Sequence, residues 1–193
     1  MNAKQARLRP EDRRAEIVHA ARAIFLGAGY EGAALAEVAA AGEVSRGSIY
    51  RYFPSGRADL AEAVIEQIVG ELHERLRYAA SVPFSASTRM EHLVGALFAF
   101  FRDEPDAYSF LFREVWAAGE SSIEAAGLAA RAALTGEIAG VLAASELPVD
   151  ELTAAATGIL GFALANVELV IAGEVDAETA WKVTCRYAVS QLS

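Results

Sequence analysis

The stretch from Val38 to Phe53, which reads VAAAGEVSRGSIYRYF, constrains the fold of this chain more than any other part of it. Its pattern predicts a helix, a tight turn and a second short helix. Gly42 is predicted to end the first helix with a positive φ, since glycine adopts that conformation at little steric cost. Ser45 stands where an N-cap belongs, and its hydroxyl is expected to accept a hydrogen bond from the amide of Gly47 or Ser48. The stretch therefore predicts a helix-turn-helix.

The second helix of this motif is predicted to have two different faces. Ile49 and Phe53 are four residues apart, so they fall on one face and anchor the helix to the rest of the protein. Arginine can fork onto guanine or phosphate, and serine and tyrosine hydroxyls can reach phosphate oxygens. A short helix with small and polar residues at its N-terminal end suits the major groove of DNA. The outward face carries Arg46, Ser48, Tyr50, Arg51 and Tyr52.

A wider segment, from about Arg14 to Leu60, resembles the DNA-binding domain of the TetR family of bacterial transcriptional repressors. The most specific feature is the run S-x-G-x-I-Y-x-Y-F, at its distance from a helix end that reads A-A-x-x-x-F-x-x-x-G-Y. Beyond this segment only the length and the all-helical character agree with the family. The matching residues are Ile17, Ala20, Ala21, Phe25, Gly29, Tyr30, Val38, Ala39, Val44, Ser45, Gly47, Ile49, Tyr50, Tyr52, Phe53 and Leu60.

The sequence departs from the family pattern in three places. Ala34 replaces a threonine that caps the first helix of the motif and touches phosphate, and the turn reads Gly42-Glu43 instead of Ala-Gly. Gly56 stands where the family has a lysine near phosphate, with Arg57 beside it as a substitute. The lost contacts and the added carboxylate would weaken DNA binding. With the resemblance, the predicted DNA-contacting residues are Ser45, Arg46, Gly47, Ser48, Tyr50, Arg51, Tyr52 and Arg57.

Charge is distributed unevenly along the chain. The net charge is −9. Residues 1–57 contain nine basic and six acidic residues, a net +3, so residues 58–193 carry −12. A basic N-terminal segment on an otherwise acidic chain would orient that segment toward a polyanion. The alternative is that the asymmetry reflects chance or solubility.

Helical periodicity predicts an all-α fold of about nine helices. A helix-turn-helix DNA-binding domain over 1–57 is joined by a long helix, near 57–78, to a ligand-binding and dimerisation domain over 58–193. A first helix is predicted from Pro10 to about Gly29, and a last one begins after a cap at Asp176 and ends near Leu192. The remaining helices are predicted over 88–102, 107–117, 121–145 and 149–172.

The helix over 153–172 is apolar nearly all round, so it must be covered on two faces. Small residues such as Gly158 and Ala165 would let another helix approach closely. We expect a homodimer through the last two helices, which form a four-helix contact across a two-fold axis. The alternatives are a fully buried core helix and a membrane span. Asn166 and Glu168 would be costly in lipid, so no membrane association is expected.

Aromatic residues of the second half are expected to line an apolar cavity, because the family resemblance implies a small-molecule inducer there. The alternative is that they belong to the core, where aromatic residues usually lie. Asn166 interrupts an apolar helix, so its amide needs a partner, in the ligand or across the dimer. The predicted residues for binding a small, largely apolar ligand are Phe98, Phe101, Phe112, Trp116, Phe162 and Asn166.

No catalytic or metal-binding pattern is visible in the sequence, so we expect neither an enzyme nor a cofactor. Cys185 is the only cysteine, and the polar N-terminus lacks the apolar stretch of a signal peptide, so a cytoplasmic protein is expected. The expected function is that of a dimeric, ligand-released transcriptional repressor that binds an inverted repeat. The alternative is a helical small-molecule-binding protein with weakened or lost DNA binding.

Overall fold

The structure is a computed structural model that describes residues 9–192. Within this range it contains nine helices and no strand, which confirms the all-α prediction. The sixth helix, α6, has three parts: Pro105–Ser109, a π-helical turn at Phe110–Glu114, and Val115–Ala117. The other helices are α1 (Pro10–Gly32), α2 (Leu35–Ala41), α3 (Arg46–Tyr52), α4 (Arg57–Ser81), α5 (Ala86–Asp103), α7 (Ser121–Leu142), α8 (Val149–Ile171) and α9 (Ala177–Ser190).

Side-chain caps fix the starts of two helices in the second half. The Thr179 amide donates to Asp176 Oδ1 over 2.9 Å, so the predicted cap of α9 is confirmed. The Thr88 amide likewise donates to Ser85 Oγ over 3.2 Å. Because Ser85 caps it, α5 begins two residues earlier than its apolar spacing predicts. Each such cap stabilises its helix by about 1 kcal/mol.

The end of α1 is kinked at a glycine. Gly29 has φ 74, and one further helical turn carries the chain to Gly32, beyond the predicted end. A Cβ atom at Gly29 would lie 2.5 Å from Glu114 Oε2. The Tyr30 amide donates to this oxygen over 3.0 Å. The carboxylate thus supplies the acceptor for an amide at the kink.

The described chain divides into two compact units. The first contains the described residues up to Glu66 together with Ser109–Gly127, and the second contains Gln67–Tyr108 together with the chain from Leu128 onward. The core of the first unit includes Ile17, Phe25, Val38, Ile49, Phe53 and Phe110. The core of the second includes Leu72, Leu76, Leu97, Phe100, Phe101, Leu134, Ile138 and Ile159. The predicted functional domains, 1–57 and 58–193, stay a prediction.

Helices α7 and α8 are long and apolar enough to pass a test for membrane spans by length and composition, which core helices of soluble proteins also pass. This is weak evidence for a membrane protein. In α8, Ile159 and Ala163 are buried, whereas Gly158 and Ala165 on another face are exposed. The alternative that α8 is wholly buried within one chain is therefore wrong.

Replacing Gly29 with alanine should destabilise the protein, because a Cβ atom there is strained at positive φ and meets Glu114. We expect the free energy of unfolding to fall by about 1–3 kcal/mol in Gly29→Ala, since with ψ 174 the backbone lies in a region that is essentially restricted to glycine. The matched control is Gly27→Ala, two residues earlier on α1, where a Cβ atom would meet nothing within 4 Å. That change should raise stability by about 0.5–1 kcal/mol, since glycine is a poor helix former. Urea unfolding followed by circular dichroism measures both, and equal effects would contradict the role given to Gly29.

Candidate nucleic-acid interface

Buried apolar side chains hold α2 and α3 in place. Val38 of α2, Ile49 of α3 and Phe53 at the end of α3 are all at most 1% exposed. The Ser48 amide donates to Ser45 Oγ over 3.1 Å, so the predicted N-cap of α3 is confirmed. Because α3 is capped at one end and anchored at the other, its outward face has a fixed direction.

The turn between α2 and α3 has a different conformation from the predicted one. Gly42 has φ −86, and Glu43 takes the left-handed conformation with φ 49. At Gly42 a Cβ atom would lie 3.3 Å from the Val38 carbonyl oxygen, one helical turn earlier, and 3.5 Å from Ala20 Cβ, which is an ordinary contact distance. The prediction that Gly42 supplies the positive φ is wrong, because the next residue, Glu43, takes that conformation.

The outward face of α3 is polar and basic. Arg46 and Arg51 are exposed, and Tyr50 is 51% exposed. The Arg51 guanidinium lies 5.8 Å from the centre of the Tyr52 ring. Two cations and a phenol on one turn and a half of helix match the groups that bind phosphates and guanine. The other predicted residues on this helix are Ser45 and Gly47, which are exposed, and Ser48 and Tyr52, which are half-buried.

Arg57, the first residue of α4, is held by other protein groups. Its Nη1 donates to the Glu31 carbonyl oxygen over 3.0 Å, and its Nη2 pairs with the Glu31 carboxylate at 3.1 Å. Its guanidinium lies 4.6 Å from the centre of the Tyr30 ring. Burial, with a smaller contribution from Glu120, raises the pKa of Tyr30 to about 12, and Arg57 opposes that rise. Arg57 thus ties α4 to the end of α1, and its phosphate contact stays a prediction.

Gly56 is required by the backbone in this turn. It has φ 66, and a Cβ atom would lie 3.1 Å from the Tyr50 ring and 3.2 Å from Leu35 Cδ1. A lysine at this position would therefore be strained, and the Tyr50 and Leu35 side chains would have to shift by a few tenths of an ångström. The departure from the family pattern at Gly56 helps to set the position of the most exposed aromatic ring of α3.

Sequence reasoning counted Arg14 only as a charge. In the structure its guanidinium lies 5.0 Å from the centre of the Phe53 ring, at the C-terminal end of α3. This contact brings a further cation from α1 beside the recognition helix. A cation–π contact between positions 39 residues apart leaves no local signal in the sequence.

The six residues predicted for ligand binding do not share one environment. Phe98 lines a cavity between α5, α8 and α9. Phe101 is fully buried and packs edge-on against Phe100 and Tyr108, with ring centres 5.2 and 5.5 Å apart. Phe101 is therefore packed in the core of the second unit, and its contact with a ligand stays a prediction.

The remaining predicted ligand residues lie elsewhere. Phe162 packs against Tyr187 with ring centres 4.6 Å apart, and the Asn166 amide donates to the Phe162 carbonyl oxygen over 2.9 Å. Asn166 thus finds a partner within α8. Phe112 and Trp116 belong to the first unit, where Phe112 is half-buried and Trp116 is exposed. Ligand contact by these residues stays a prediction.

Among residues 9–192, no group of three or more histidine, cysteine or acidic side chains has an arrangement that could hold a metal ion. The fold and the α2–α3 motif define an all-helical helix-turn-helix protein with a basic recognition helix. Residues 17–64 match the family model described as bacterial regulatory proteins, tetR family. The family model, the curated relative and the solved structures below together support a regulator of the TetR family.

The curated relative is the HTH-type transcriptional activator FasR of Mycolicibacterium smegmatis, which is 29% identical over 111 residues, or 58% of this chain. The match spans only 50% of FasR. A tetR-family regulator from Streptomyces coelicolor shares the fold with a TM-score of 0.76 at 23% identity, over 93% of this chain and 80% of that one. FadR from Bacillus subtilis, solved in complex with stearoyl-CoA, shares it with a TM-score of 0.77 at 16% identity, over 93% and 99% of the two chains.

Replacing Glu43 with glycine should stabilise the protein, because it removes a side chain from the left-handed conformation. The expected gain in the free energy of unfolding is about 0.5–1 kcal/mol, which is the relieved strain less the entropy that glycine loses on folding. Glu43→Gln is the matched control, since it removes the same charge and keeps the strain. Thermal unfolding measures both variants, and a gain of equal size in the two would show that charge, and not backbone strain, matters at this position.

Proposed function

We propose that this chain is a cytoplasmic transcriptional regulator that binds double-stranded operator DNA. The observation that carries the proposal is the exposed face of α3, with Arg46, Tyr50 and Arg51 held in a fixed direction by a capped and anchored helix. Regulators of this motif insert the N-terminal part of the second helix into the major groove. The match of residues 17–64 to the TetR family model, which includes α3, agrees with a role for α3 in DNA binding.

The regulator acts as a homodimer through α8 and α9. Exposed small residues of α8, including Gly158 and Ala165, permit close approach of a second copy. The Phe162–Tyr187 ring pair and Val183, which is 38% exposed, add apolar surface beside them. Two copies related by a two-fold axis would present two α3 helices to half-sites about one helical turn apart, so the operator is an inverted repeat.

A small, largely apolar ligand releases the protein from DNA, so the protein represses transcription in its absence. The coupling is reciprocal: the ligand must favour a conformation that DNA disfavours, and each then lowers the affinity for the other. FadR, which shares this fold, was solved in complex with stearoyl-CoA, whose acyl chain is apolar, and this supports an apolar ligand for the present protein. FasR is named an activator, so a reporter-gene assay must decide whether the present protein represses or activates transcription. Repression requires that reporter expression rise when the gene for this protein is deleted.

The experiment that tests the proposal is selection of random duplex DNA by the purified protein at two salt concentrations. Enrichment of an inverted repeat, with affinity that falls steeply as salt rises, is the expected result. A folded dimer that enriches no sequence, even after it is refolded without ligand, would overturn the proposal. That outcome would favour the alternative, a small-molecule-binding protein that has lost DNA binding. The observation in favour of this alternative is that Ala34, at the N-cap of α2, provides no side-chain cap.

Substitutions on α3 should affect DNA binding in two distinct ways. Tyr50→Ala should weaken binding to all enriched sequences to a similar extent, because a tyrosine hydroxyl that touches phosphate reads no base. Arg46→Ala should relax the preference at one base pair in each half-site and cost about 1–3 kcal/mol there. Fluorescence anisotropy on the operator and on single-base variants measures both. Wild-type affinity and preference in both variants would refute these roles.

A charge on the exposed face of α8 should prevent dimerisation. Ala165→Glu would place a carboxylate in the proposed contact, where burial without a partner is costly. Leu128→Glu is the control, because Leu128 is also exposed and apolar, at 58%, but lies on α7. Sedimentation velocity should show a monomer for the first variant and a dimer for the second. A dimer in both cases would place the contact elsewhere.

A further inference from the structure

The second unit contains a cavity between three helices, with a volume of about 410 Å³. We call it the slot. Its apolar lining comes from α5, from the C-terminal half of α8 and from the start of α9. This volume lies in the range of small-molecule sites, which are mostly apolar clefts of roughly 300–1,000 Å³. The residues that define it are Gly95, Phe98, Ala99, Val167, Ile171 and Trp181.

The two charged residues at the slot are already paired by their neighbours. The Arg102 guanidinium donates to Asp103 Oδ1 over 3.0 and 3.2 Å. Lys182 Nζ donates to Glu178 Oε1. The slot therefore offers one cation and one anion, each with a partner, and no net charge to attract an ion.

Trp181 forms an apolar wall of the slot. Its indole nitrogen is buried close to Gly95, where a Cβ atom would lie 3.6 Å from it, and has no hydrogen-bond partner in the described chain. Since the nitrogen is covered, the surface that Trp181 offers to a ligand is its carbon ring. Aromatic rings of this kind pack well against flat apolar molecules.

Other cavities of the described chain have a different character. A second cavity that Trp181 also borders is lined by the charged residues Glu91, Lys182 and Arg186. A cavity in the first unit is bordered largely by the backbone of 26–32 and by Glu114. Apolar lining with balanced charge is therefore particular to the slot among these three.

We propose that the slot binds a neutral, apolar, aromatic-sized molecule between α5, α8 and α9, in contact with Trp181. The proposal rests on the ligand half of the proposed function and names where such a ligand binds and what charge it carries. It differs from the pocket expected from the sequence, because it keeps Phe98 and replaces the other predicted residues by Ala99, Val167 and Trp181.

The two tryptophans of the chain allow the two candidate sites to be distinguished. Trp181 lines the slot, whereas Trp116 was predicted as a ligand residue and belongs to the first unit. Trp116→Phe and Trp181→Phe therefore give two proteins with one reporter each. The probe is 4-bromobenzyl alcohol, whose bromine quenches indole fluorescence on contact, and 4-methylbenzyl alcohol serves as a non-quenching competitor.

The expected result is saturable quenching of Trp116→Phe, in which Trp181 remains, reversed by the competitor. A dissociation constant on the order of 100 μM is expected for a ligand of about nine heavy atoms. 4-Bromobenzylamine and 4-bromobenzoate carry opposite charges, and each should bind at least about threefold more weakly than the alcohol. The reason is that the charged group would lose its hydration and find no partner in the slot.

Filling the slot should abolish the signal. Ala99→Leu, on the Trp116→Phe background, adds three carbons to the lining and should weaken binding at least about tenfold, because the larger side chain would occupy volume that the ligand needs. Ala96→Leu is the control, since Ala96 is also half-buried on α5 and does not line the slot. Should Ala99→Leu fail to fold, Ile171→Gln tests the same wall, because Ile171 is 39% exposed at the end of α8.

The proposal is overturned by unsaturable quenching of Trp181, by equal binding to Ala99→Leu and Ala96→Leu, or by quenching that is confined to Trp116. Tighter binding of the amine or the carboxylate would overturn the proposal that the ligand is neutral.

The binding assay contains no DNA, so a failure of the slot proposal can be distinguished from a failure of the proposed regulatory function. A protein that selects an inverted repeat and does not bind the probe loses only the slot. One that binds the probe and selects no DNA keeps the slot and loses the regulatory function.

Discussion

The burial of Ile49 and Phe53 is the interaction on which the use of α3 depends. A helix of seven residues is too short to be stable alone, so its position is set by what its apolar side covers. Both side chains are at most 1% exposed. The Ser45 cap then fixes the N-terminal end, which is the part of a recognition helix that meets base edges. The polar face has its direction only because the apolar face is buried.

A second set of contacts holds the surroundings of that helix. The kink at Gly29 presents an amide, that of Tyr30, to the Glu114 carboxylate, while Arg57 covers the Tyr30 ring and binds Glu31. These contacts tie the end of α1 to the start of α4 and to the π-helical turn of α6. Such turns inside α-helices are frequent at functional sites. A basic residue that was predicted to contact DNA thus has a structural role within the protein.

The second unit combines a packed core with apolar surface that a single chain leaves open. On α8, Ile159 and Ala163 are buried, while Gly158 and Ala165 are exposed, and Trp181 of α9 borders the slot. Contiguous exposed apolar surface is a feature of partner and ligand sites. The proposed dimer contact and the proposed ligand site use different faces of the same two helices.

The sequence by itself determined the helices, the helix-turn-helix and the cap at Ser45, because spacing, caps and turn residues act over a few positions. Only the tertiary structure decided that Glu43 and not Gly42 takes the positive φ, since local residue preference favours glycine at that conformation. It also assigned Phe101 to the core and brought Trp181 to the slot. Those outcomes depend on contacts between residues far apart in the chain, which leave no periodic or local signal in the sequence.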